Sequence, residues 1–363
     1  MAASRSWNTF LLTVTAVIVI AGCSSPLPAV TGGQATTGPP NASPGWFGGY
    51  LDVTQGPGLR LRDPAGHSTR DGKVTTVLSF INSDPATPCE PSWGGYYGLQ
   101  QADAQLGLTA QVEAFRKAGN DVAVSFGGQL GLELATACTD TDALVRAYGS
   151  VVAKYGLGVV DLDLEGKSLE DHAASSRRAA AMARLQAGRT ADAPLRVWLT
   201  LPVSAGGLTP GGEDAIRTML EAGVELAGVN LMTMNFGPLE SGQTMLAAGI
   251  GAAEGTHRVL AALYEKAGKP LEPAALWHKI GLTPMIGTND VRGQVFTLED
   301  AKGFNAFASE RGIGRMSMWS VNRDTGCDSS SAEQGTDAAS PECSGVKQEP
   351  GMYAKLLGAG YTR

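Results

Sequence analysis

Eight apolar stretches recur along the chain from residue 46 onward, and amphipathic stretches separate most of them. This alternation is typical of a parallel sheet whose strands are joined by helices. The predicted strands are residues 46–53, 74–82, 121–128, 158–165, 195–203, 228–236, 279–286 and 315–321, and the predicted helices are 109–119, 140–155, 168–188, 211–223, 245–268, 297–311 and 350–359. The fold class is therefore α/β, and we expect one (β/α)8 TIM barrel that occupies residues 45–363 as a single domain.

The first unit of this predicted barrel is irregular. Residues 54–73 contain Gly and Pro and show no clear helical pattern. Since both residues interrupt regular structure, we expect a loop there in place of a helix.

The N-terminus has the pattern of an export signal. A polar segment with Arg5 precedes an apolar run over residues 10–20, which is too short to span a bilayer as a helix. Ala21 and Gly22 then precede Cys23, and small residues before a Cys resemble the lipobox of bacterial lipoproteins. Residues 1–22 are thus predicted to be a lipoprotein signal peptide and Cys23 the lipidated residue. A plain secretory signal with an incidental Cys is the alternative.

Residues 23–44 are rich in Ser, Pro, Gly, Thr and Ala and have no apolar periodicity. They are predicted to form a flexible tether between the lipid and the barrel. We expect the protein to be exported and anchored to the outer face of the cell membrane, or secreted.

Charge narrows the class of partner. The chain has 28 Lys and Arg against 35 Asp and Glu, for a formal net charge of −7, and it lacks a basic run. Nucleic acid is therefore excluded as a partner, and we expect a monomer.

The cysteines predict two disulfides. If Cys23 carries lipid, an even set of four remains. Cys89 follows the second predicted strand and Cys138 the third, so both belong to loops on one face of the barrel, while Cys327 and Cys343 share one late loop. We predict the pairs Cys89 with Cys138 and Cys327 with Cys343. A zinc site is the alternative, although the chain has no CxxC spacing and no Cys with a nearby His.

The fourth predicted strand carries the candidate chemistry. Asp161, Asp163 and Glu165 alternate with Leu162 and Leu164, so the three acids share one face of the strand. In a (β/α)8 barrel that face points inward, and the carboxyl end of the strand lies where active sites are built. An amphipathic strand with its acids in solvent is the alternative. A metal site is not expected, because alternate residues lie about 6.6 Å apart and ligand oxygens must lie within about 2.6 Å of one ion.

This acidic strand resembles the D-G-x-D-x-D-x-E signature of glycoside hydrolase family 18, the chitinases. Asp161, Asp163 and Glu165 occupy its last three acidic positions, while Gly158 and Val159 depart from its first two. On the third strand, the run that begins at Ser125 and ends in two glycines resembles the S-x-G-G motif of the same family.

Two more strands carry the resemblance. The run over residues 230–236 lies where the family has Q-x-M-x-Y-D: Met232 matches, Met234 replaces the Tyr and Asn235 replaces the Asp. Trp319 lies where the family places a Trp under the sugar ring. The resemblance implies substrate binding by Ser125, Met232, Met234, Asn235 and Trp319. An apolar strand that ends in Asn and a core Trp are the alternatives, and Trp93, Tyr96 and Tyr97 are candidates for outer sugar contacts.

The resemblance also implies a mechanism and a substrate. The substrate's own acetamido oxygen would attack the anomeric carbon with net retention, Glu165 would act as general acid and then base, Asp163 would stabilise the acetamido group, and Asp161 would tune Asp163 through a shared proton. The substrate would be a polysaccharide or oligosaccharide of β-1,4-linked N-acetylglucosamine, most simply chitin, and no metal or organic cofactor would be needed.

The connection after the seventh strand is short, which implies a shallow, open cleft and endo-type cutting. Two alternatives remain for the function. One is a catalytically weak or inactive lectin-like protein that binds chitin, and the other is an endo-β-N-acetylglucosaminidase that acts on N-glycan or peptidoglycan.

Overall fold

Twelve strands of the computed structural model form one sheet, which closes into a barrel. The structure describes residues 45–55, 61, 74–327 and 339–361. The predicted signal peptide (1–22), the predicted tether (23–44) and most of the predicted irregular loop (54–73) lie outside these residues. The strands are β1 (Trp46–Phe47), β2 (Tyr50–Asp52), β3 (Thr75–Ser83), β4 (Pro91–Trp93), β5 (Tyr97–Gly98), β6 (Asp121–Gly127), β7 (Val159–Asp163), β8 (Arg196–Ser204), β9 (Gly207–Leu208), β10 (Leu226–Met232), β11 (Ile280–Thr283), β12 (Gly287–Thr288), β13 (Val295–Phe296) and β14 (Arg315–Met316).

The barrel closes through β1 and β2, which together form its first strand. β1 pairs in parallel with β14, and β2 pairs in parallel with β3. Between them the order is β3, β6, β7, β8, β10, β11 and β14, again with every neighbouring pair parallel. Eight parallel strand positions in chain order confirm the predicted (β/α)8 barrel.

Helices connect most of these strands. They are α1 (Leu99–Leu106), α2 (Leu108–Lys117), α3 (Leu134–Ala137), α4 (Thr141–Lys154), α5 (Lys167–Glu170), α6 (His172–Ala187), α7 (Pro210–Glu221), α8 (Met245–Lys266), α9 (Pro273–His278), α10 (Leu298–Arg311) and α11 (Met352–Leu357). The seven predicted helices correspond to α2, α4, α6, α7, α8, α10 and α11. The sequence did not predict α1, α3 and α9, which have eight residues or fewer, and residues 168–188, predicted as one helix, contain most of α5 and all of α6.

Side-chain caps fix where the long helices begin. At each of these starts a side-chain oxygen accepts a hydrogen bond from a backbone N–H of the first turn, which would otherwise have no partner. The capping residues are Asp140 of α4, Asp171 of α6, Thr209 of α7, Thr244 of α8 and Thr297 of α10. No helix of the described ranges is long and apolar enough to cross a membrane.

An unpredicted hairpin extends the second barrel strand. The carboxyl end of β3 pairs antiparallel with β4, which in turn pairs with β5. Trp93 of β4 is fully buried and donates its indole N–H to the hydroxyl of Tyr155 at 3.1 Å. The prediction that Trp93 is an outer sugar contact is therefore wrong, whereas Tyr96 is 74% exposed.

Two barrel strands end earlier than predicted. β10 ends at Met232 and β14 at Met316, although the apolar pattern continues beyond both. Asn235 has a φ of 47°, in the left-handed region, which an extended strand cannot contain. Met234, Asn235 and Trp319 consequently lie in loops at the carboxyl edge of the barrel, not in the strands.

Both predicted disulfides are present. Cys89 pairs with Cys138 and joins the loop after β3 to the end of α3. Cys327 pairs with Cys343 in the segment that leads to α11. The pairing by shared barrel face and shared loop is thereby confirmed.

A buried ion pair supports the loop between β6 and α4. Glu133 accepts hydrogen bonds from Arg178 of α6 at 2.8 Å and from Tyr148 of α4 at 2.6 Å, and the side chains of the ion pair are at most 3% exposed. Burial alone would raise the pKa of Glu133, but the Arg178 charge and these hydrogen bonds outweigh it and lower that pKa. The charged form of Glu133 therefore stabilises the fold near neutral pH.

We expect Glu133→Ala to lower the free energy of unfolding by about 3–5 kcal/mol, because it leaves the buried Arg178 charge without a partner. Urea denaturation at neutral pH measures the loss. Asp142→Asn, which breaks an exposed ion pair with Arg184, is the control and should leave the midpoint unchanged. Because the pKa of Glu133 is lowered, its contribution should also fade in the wild type as the pH falls through that pKa. Equal midpoints for Glu133→Ala and the wild type would contradict this account.

Candidate active site

The three acids of the fourth barrel strand lie where the alternation predicts. Asp161 and Asp163 belong to β7, and Glu165 follows it directly. Asp161 is fully buried and Asp163 is 5% exposed, both on the inner face of the barrel, while Leu162 and Leu164 are fully buried in the apolar layer between strands and helices. The alternative that the acids face solvent is wrong.

Asp161 is held at the centre of the barrel by hydrogen bonds. Its two oxygens accept four hydrogen bonds, from Tyr50 Oη at 2.8 Å, Ser125 Oγ at 2.7 Å, Thr200 Oγ1 at 2.7 Å and Arg315 Nη1 at 2.6 Å. One of these donors, Arg315, is positively charged, so the contact is both a hydrogen bond and an ion pair. The orientation of the Asp161 carboxylate is therefore fixed.

Arg315 is the cation of this arrangement, and the sequence analysis missed it. It is fully buried, and its guanidinium lies 4.9 Å from the ring centre of Trp46, 5.4 Å from that of Tyr50 and 5.5 Å from that of Trp198. Burial would lower the pKa of Arg315, but its neighbours Tyr50 and Asp161 outweigh that effect. A charged residue that opens an otherwise apolar predicted strand was the signal that could have identified it.

Asp163 and Glu165 form a pair of interacting carboxyl groups. Burial and the charges of Glu165 and Asp161 raise the pKa of Asp163 well above its usual range, and a hydrogen bond with Glu165 raises it further. Burial also raises the pKa of Glu165, while the hydrogen bond from Asp163 works in the opposite direction. The proton of the pair therefore rests on Asp163, which donates to Glu165.

This arrangement corrects the predicted proton sharing between Asp161 and Asp163. The donors to Asp161 are the four named above, and the proton lies between Asp163 and Glu165. Arg315 explains the difference, because it donates to Asp161 at 2.6 Å and forms an ion pair with it.

A cavity of ≈ 280 Å³ opens in front of this pair at the carboxyl edge of the barrel. Trp319 and Phe80 stack with ring centres 5.5 Å apart and form its aromatic wall. The other lining residues are Tyr50, Gln129, Asp163, Glu165, Thr200, Pro202, Val203, Met232, Met234, Asn235, Thr283, Met285 and Asp290. A second cavity of ≈ 730 Å³ shares Phe80, Gln129 and Trp319 with the first and extends past the exposed side chains of Tyr96 and Leu130.

The structure brings four of the five predicted substrate-binding residues to this cavity: Met232, Met234, Asn235 and Trp319. Ser125 is the exception, because it is fully buried and donates its hydroxyl proton to Asp161. The prediction that Ser125 contacts substrate is corrected accordingly: it holds Asp161.

The two glycines that follow Phe126 are required by close contacts. Gly127 and Gly128 have φ values of 104° and 84°, in the region that side chains rarely adopt. A Cβ on Gly127 would lie 2.1 Å from the backbone oxygen of Asp163, and one on Gly128 would lie 2.8 Å from the Phe80 ring. The glycine pair thus allows β6 to approach the end of the acidic strand.

Several residues of the site were not predicted, among them Tyr50, Phe80, Thr200 and Asp290. Tyr50 and Thr200 are polar residues near the ends of predicted strands, a signal that the sequence does contain. In the described part of the chain, no group of three or more His, Cys, Asp and Glu residues could hold a metal ion.

Comparisons with known proteins agree with this geometry. No family model matches the chain. The "Probable bifunctional chitinase/lysozyme" of Escherichia coli (strain K12) is 34% identical over 281 residues, which are 75% of this chain and 30% of that protein. Endochitinase 11 of Metarhizium anisopliae is 34% identical over 257 residues, 69% of this chain and 47% of that protein. The chain therefore spans less than half the length of these two relatives.

Solved structures extend the likeness to the whole barrel. The catalytic domain of the hyperthermophilic chitinase from Pyrococcus furiosus has a TM-score of 0.71 and 26% identity, over 88% of this chain and 96% of that one. The catalytic domain of a family GH18 chitinase from a fern shares the fold alone, with a TM-score of 0.50 and 14% identity. The chain is thus similar in sequence to two chitinases and shares the (β/α)8 barrel of solved chitinase catalytic domains.

Proposed function

We propose that the protein hydrolyses β-1,4-linked N-acetylglucosamine polymers, chitin most simply, with retention and with assistance from the substrate. The observation that carries this proposal is the Asp163–Glu165 pair, which shares one proton and lines the cavity. Glu165 is the proton donor and Asp163 the group that stabilises positive charge.

The first step breaks the glycosidic bond. The acetamido oxygen of the substrate attacks the anomeric carbon, the leaving oxygen keeps the bonding electrons and takes the proton of Glu165, and an oxazolinium forms. A water then attacks the same carbon from the face that the leaving group vacated, the bond from that carbon to the acetamido oxygen breaks, and a proton of the water returns to Glu165. Two displacements at one carbon retain its configuration.

Asp163 fits the stabilising role because its carboxyl group lines the cavity beside Glu165. An ionised carboxylate there can accept a hydrogen bond from an acetamido N–H. Asp163 must be ionised when the oxazolinium forms, so its proton has to pass to Glu165 first. The two carboxyls already share a hydrogen bond, so this transfer crosses a single contact.

Two further observations support a sugar polymer and internal cutting. Trp319 lies in the wall of the cavity, where an aromatic face suits the axial C–H groups of a pyranose ring. The connection from β11 to α10 contains only the small hairpin of β12 and β13, and the second cavity continues the cleft. The active domain 2 of the Pyrococcus furiosus chitinase, whose structure was solved in complex with chito-oligosaccharides, is similar to this chain with a TM-score of 0.72.

A second candidate function rests on Met234. It lines the cavity and has no hydroxyl, so it cannot hydrogen-bond the acetamido carbonyl. A missing hydrogen bond to developing charge costs about a hundredfold in rate. Modest hydrolysis is therefore expected, and a lectin-like protein is the limiting case.

We expect the soluble form that begins at Ser24 to release short products of β-anomeric configuration from chito-oligosaccharides. Mass analysis and proton NMR of fresh products measure this. Glu165→Gln should lose at least about a hundredfold in kcat because it removes the proton donor, while it keeps affinity for the sugar. Glu170→Gln, on the exposed end of α5, is the matched control. Turnover by Glu165→Gln at the wild-type rate would remove the mechanism, and binding without any hydrolysis by the wild type would favour the lectin.

We expect Asp163→Asn to lower kcat by about a hundredfold or more, because no charge remains to stabilise the oxazolinium.

The pH dependence of kcat in the wild type gives an independent test of the carboxyl pair. Burial raises the pKa of Asp163 and of Glu165, so the pair should keep its shared proton to higher pH than an ordinary carboxylic acid, and kcat should fall as the pH rises through that raised pKa. A profile whose high-pH limb lies at the ordinary value for glutamic acid would contradict this assignment.

We also propose that Cys23 carries a lipid and that the protein is exported and membrane-anchored, as the pattern of residues 1–23 supports. Cys23→Ser should move the protein from the membrane fraction to the soluble fraction with unchanged specific activity. Cell fractionation with an activity assay measures both, with Thr36→Ala as a control within the predicted tether. Membrane association that persists in Cys23→Ser would overturn the proposed anchor.

A further inference from the structure

We propose that Asp290 is a sugar-binding residue of the catalytic cavity and that Asn235 positions it, so that the two side chains act as one unit. The inference rests on the proposed hydrolase function and assigns a binding role within that site. Both residues line the cavity that contains Asp163 and Glu165.

Asn235 and Asp290 are joined by a reciprocal pair of hydrogen bonds. The side-chain amide of Asn235 donates to Oδ2 of Asp290 at 2.8 Å, and the backbone N–H of Asp290 donates to Oδ1 of Asn235, also at 2.8 Å. An amide side chain suits both contacts because it offers one donor and one acceptor. The carboxylate of Asp290 is thus fixed in orientation relative to the end of β10.

The reciprocal hydrogen bonds of Asn235 and Asp290 form a clamp, and a second contact joins the same two segments beside it. Asn289 is fully buried, and its Oδ1 accepts a hydrogen bond from the backbone N–H of Asn235 at 3.0 Å. Its amide donates to the backbone oxygens of Met285 at 2.9 Å and Gly287 at 3.1 Å. The turn between β12 and β13 is therefore held against the end of β10 by buried groups.

Arg323 fixes the hairpin from below. It is 2% exposed and donates to the backbone oxygens of Ile286 at 3.0 Å and Thr288 at 2.6 Å. Burial lowers the pKa of Arg323 to about 10, and the charge of Asp290 partly opposes that shift. Asp290 therefore lies on the β12–β13 hairpin, which hydrogen bonds from the buried Arg323 stabilise.

The side chain of Asp290 is suited to a ligand that donates hydrogen bonds. Asp290 is exposed at the cavity wall, and the clamp to Asn235 uses Oδ2 but not Oδ1. A carboxylate accepts hydrogen bonds only, so its ligand is a hydroxyl or an amide N–H. Both groups occur on N-acetylglucosamine. Because the carboxylate is preorganised, a sugar gains this contact with little loss of side-chain entropy.

The clamp also explains the amide at position 235. An Asp there would place two carboxylates at hydrogen-bond distance, which repel unless one is protonated. This wall of the cavity therefore carries one carboxylate, on the hairpin. Exchanging the two residues should move the carboxylate to the strand side and keep the reciprocal hydrogen bonds.

The test compares the wild type with Asp290→Asn, Asn235→Asp and the double exchange Asn235→Asp with Asp290→Asn. We expect Asp290→Asn to raise KM for chito-oligosaccharides about tenfold, the effect of one charge-assisted hydrogen bond, with kcat within about twofold. Asn235→Asp should raise KM most at high pH, where both carboxylates ionise. The double exchange should bring KM back to within about threefold of the wild type. Asp192→Asn, which changes an exposed Asp outside the cavity, is the matched control.

Thermal unfolding of every variant separates lost binding from lost folding. Equal KM values for Asp290→Asn and the wild type would overturn the inference, and so would a double exchange no better than its worse single variant. If the single variants unfold, the double exchange alone decides between these outcomes. If the wild type binds but does not hydrolyse, the same four affinities are measured by titration; a weaker affinity of Asp290→Asn would then support the inference although the proposed hydrolysis fails.

Discussion

The buried ion pair between Asp161 and Arg315 is the interaction on which the active site depends. The two residues come from the fourth and the eighth barrel strands, and both are fully buried. Charges without water cost several kcal/mol unless they are paired and hydrogen-bonded. Tyr50, Ser125 and Thr200 supply the remaining hydrogen bonds, so side chains from the first, third, fourth, fifth and eighth barrel strands meet in one network. The same network of side chains therefore holds Asp161 in the active site and connects the first barrel strand to the eighth.

This ion pair also separates the roles of three similar acids. Asp161 is paired with Arg315, while the charge of Asp161 helps to raise the pKa of Asp163. Glu165 is farther along the chain and borders the cavity, so the proton of the second pair lies next to the space for a ligand. Three carboxyl groups at alternate positions of the chain therefore have different roles: Asp161 is structural, whereas Asp163 and Glu165 exchange a proton.

Hydrophobic periodicity predicted the barrel strands because strands buried on both faces leave long apolar runs. It failed at β10, where apolar residues continue past the last ladder hydrogen bond into the loop that contains Asn235. The inward direction of Asp161 followed from alternation, whereas its pairing with Arg315, 154 residues away in the sequence, could not follow from any local pattern. Ser125 was misassigned for a similar reason, since its motif indicates proximity to the site but not on which side of Asp161 it lies.

The disulfide between Cys89 and Cys138 affects the shape of the cleft as well as the stability of the chain. Pro88 and Ala137, the residues beside these cysteines, both line the second cavity. Pro88 belongs to the loop after β3, and Ala137 belongs to α3, a helix of only four residues. The disulfide therefore joins two segments that both contribute to the lining of the groove. Because the bond is covalent, these two segments cannot move apart, and this part of the groove keeps its width while the disulfide is intact.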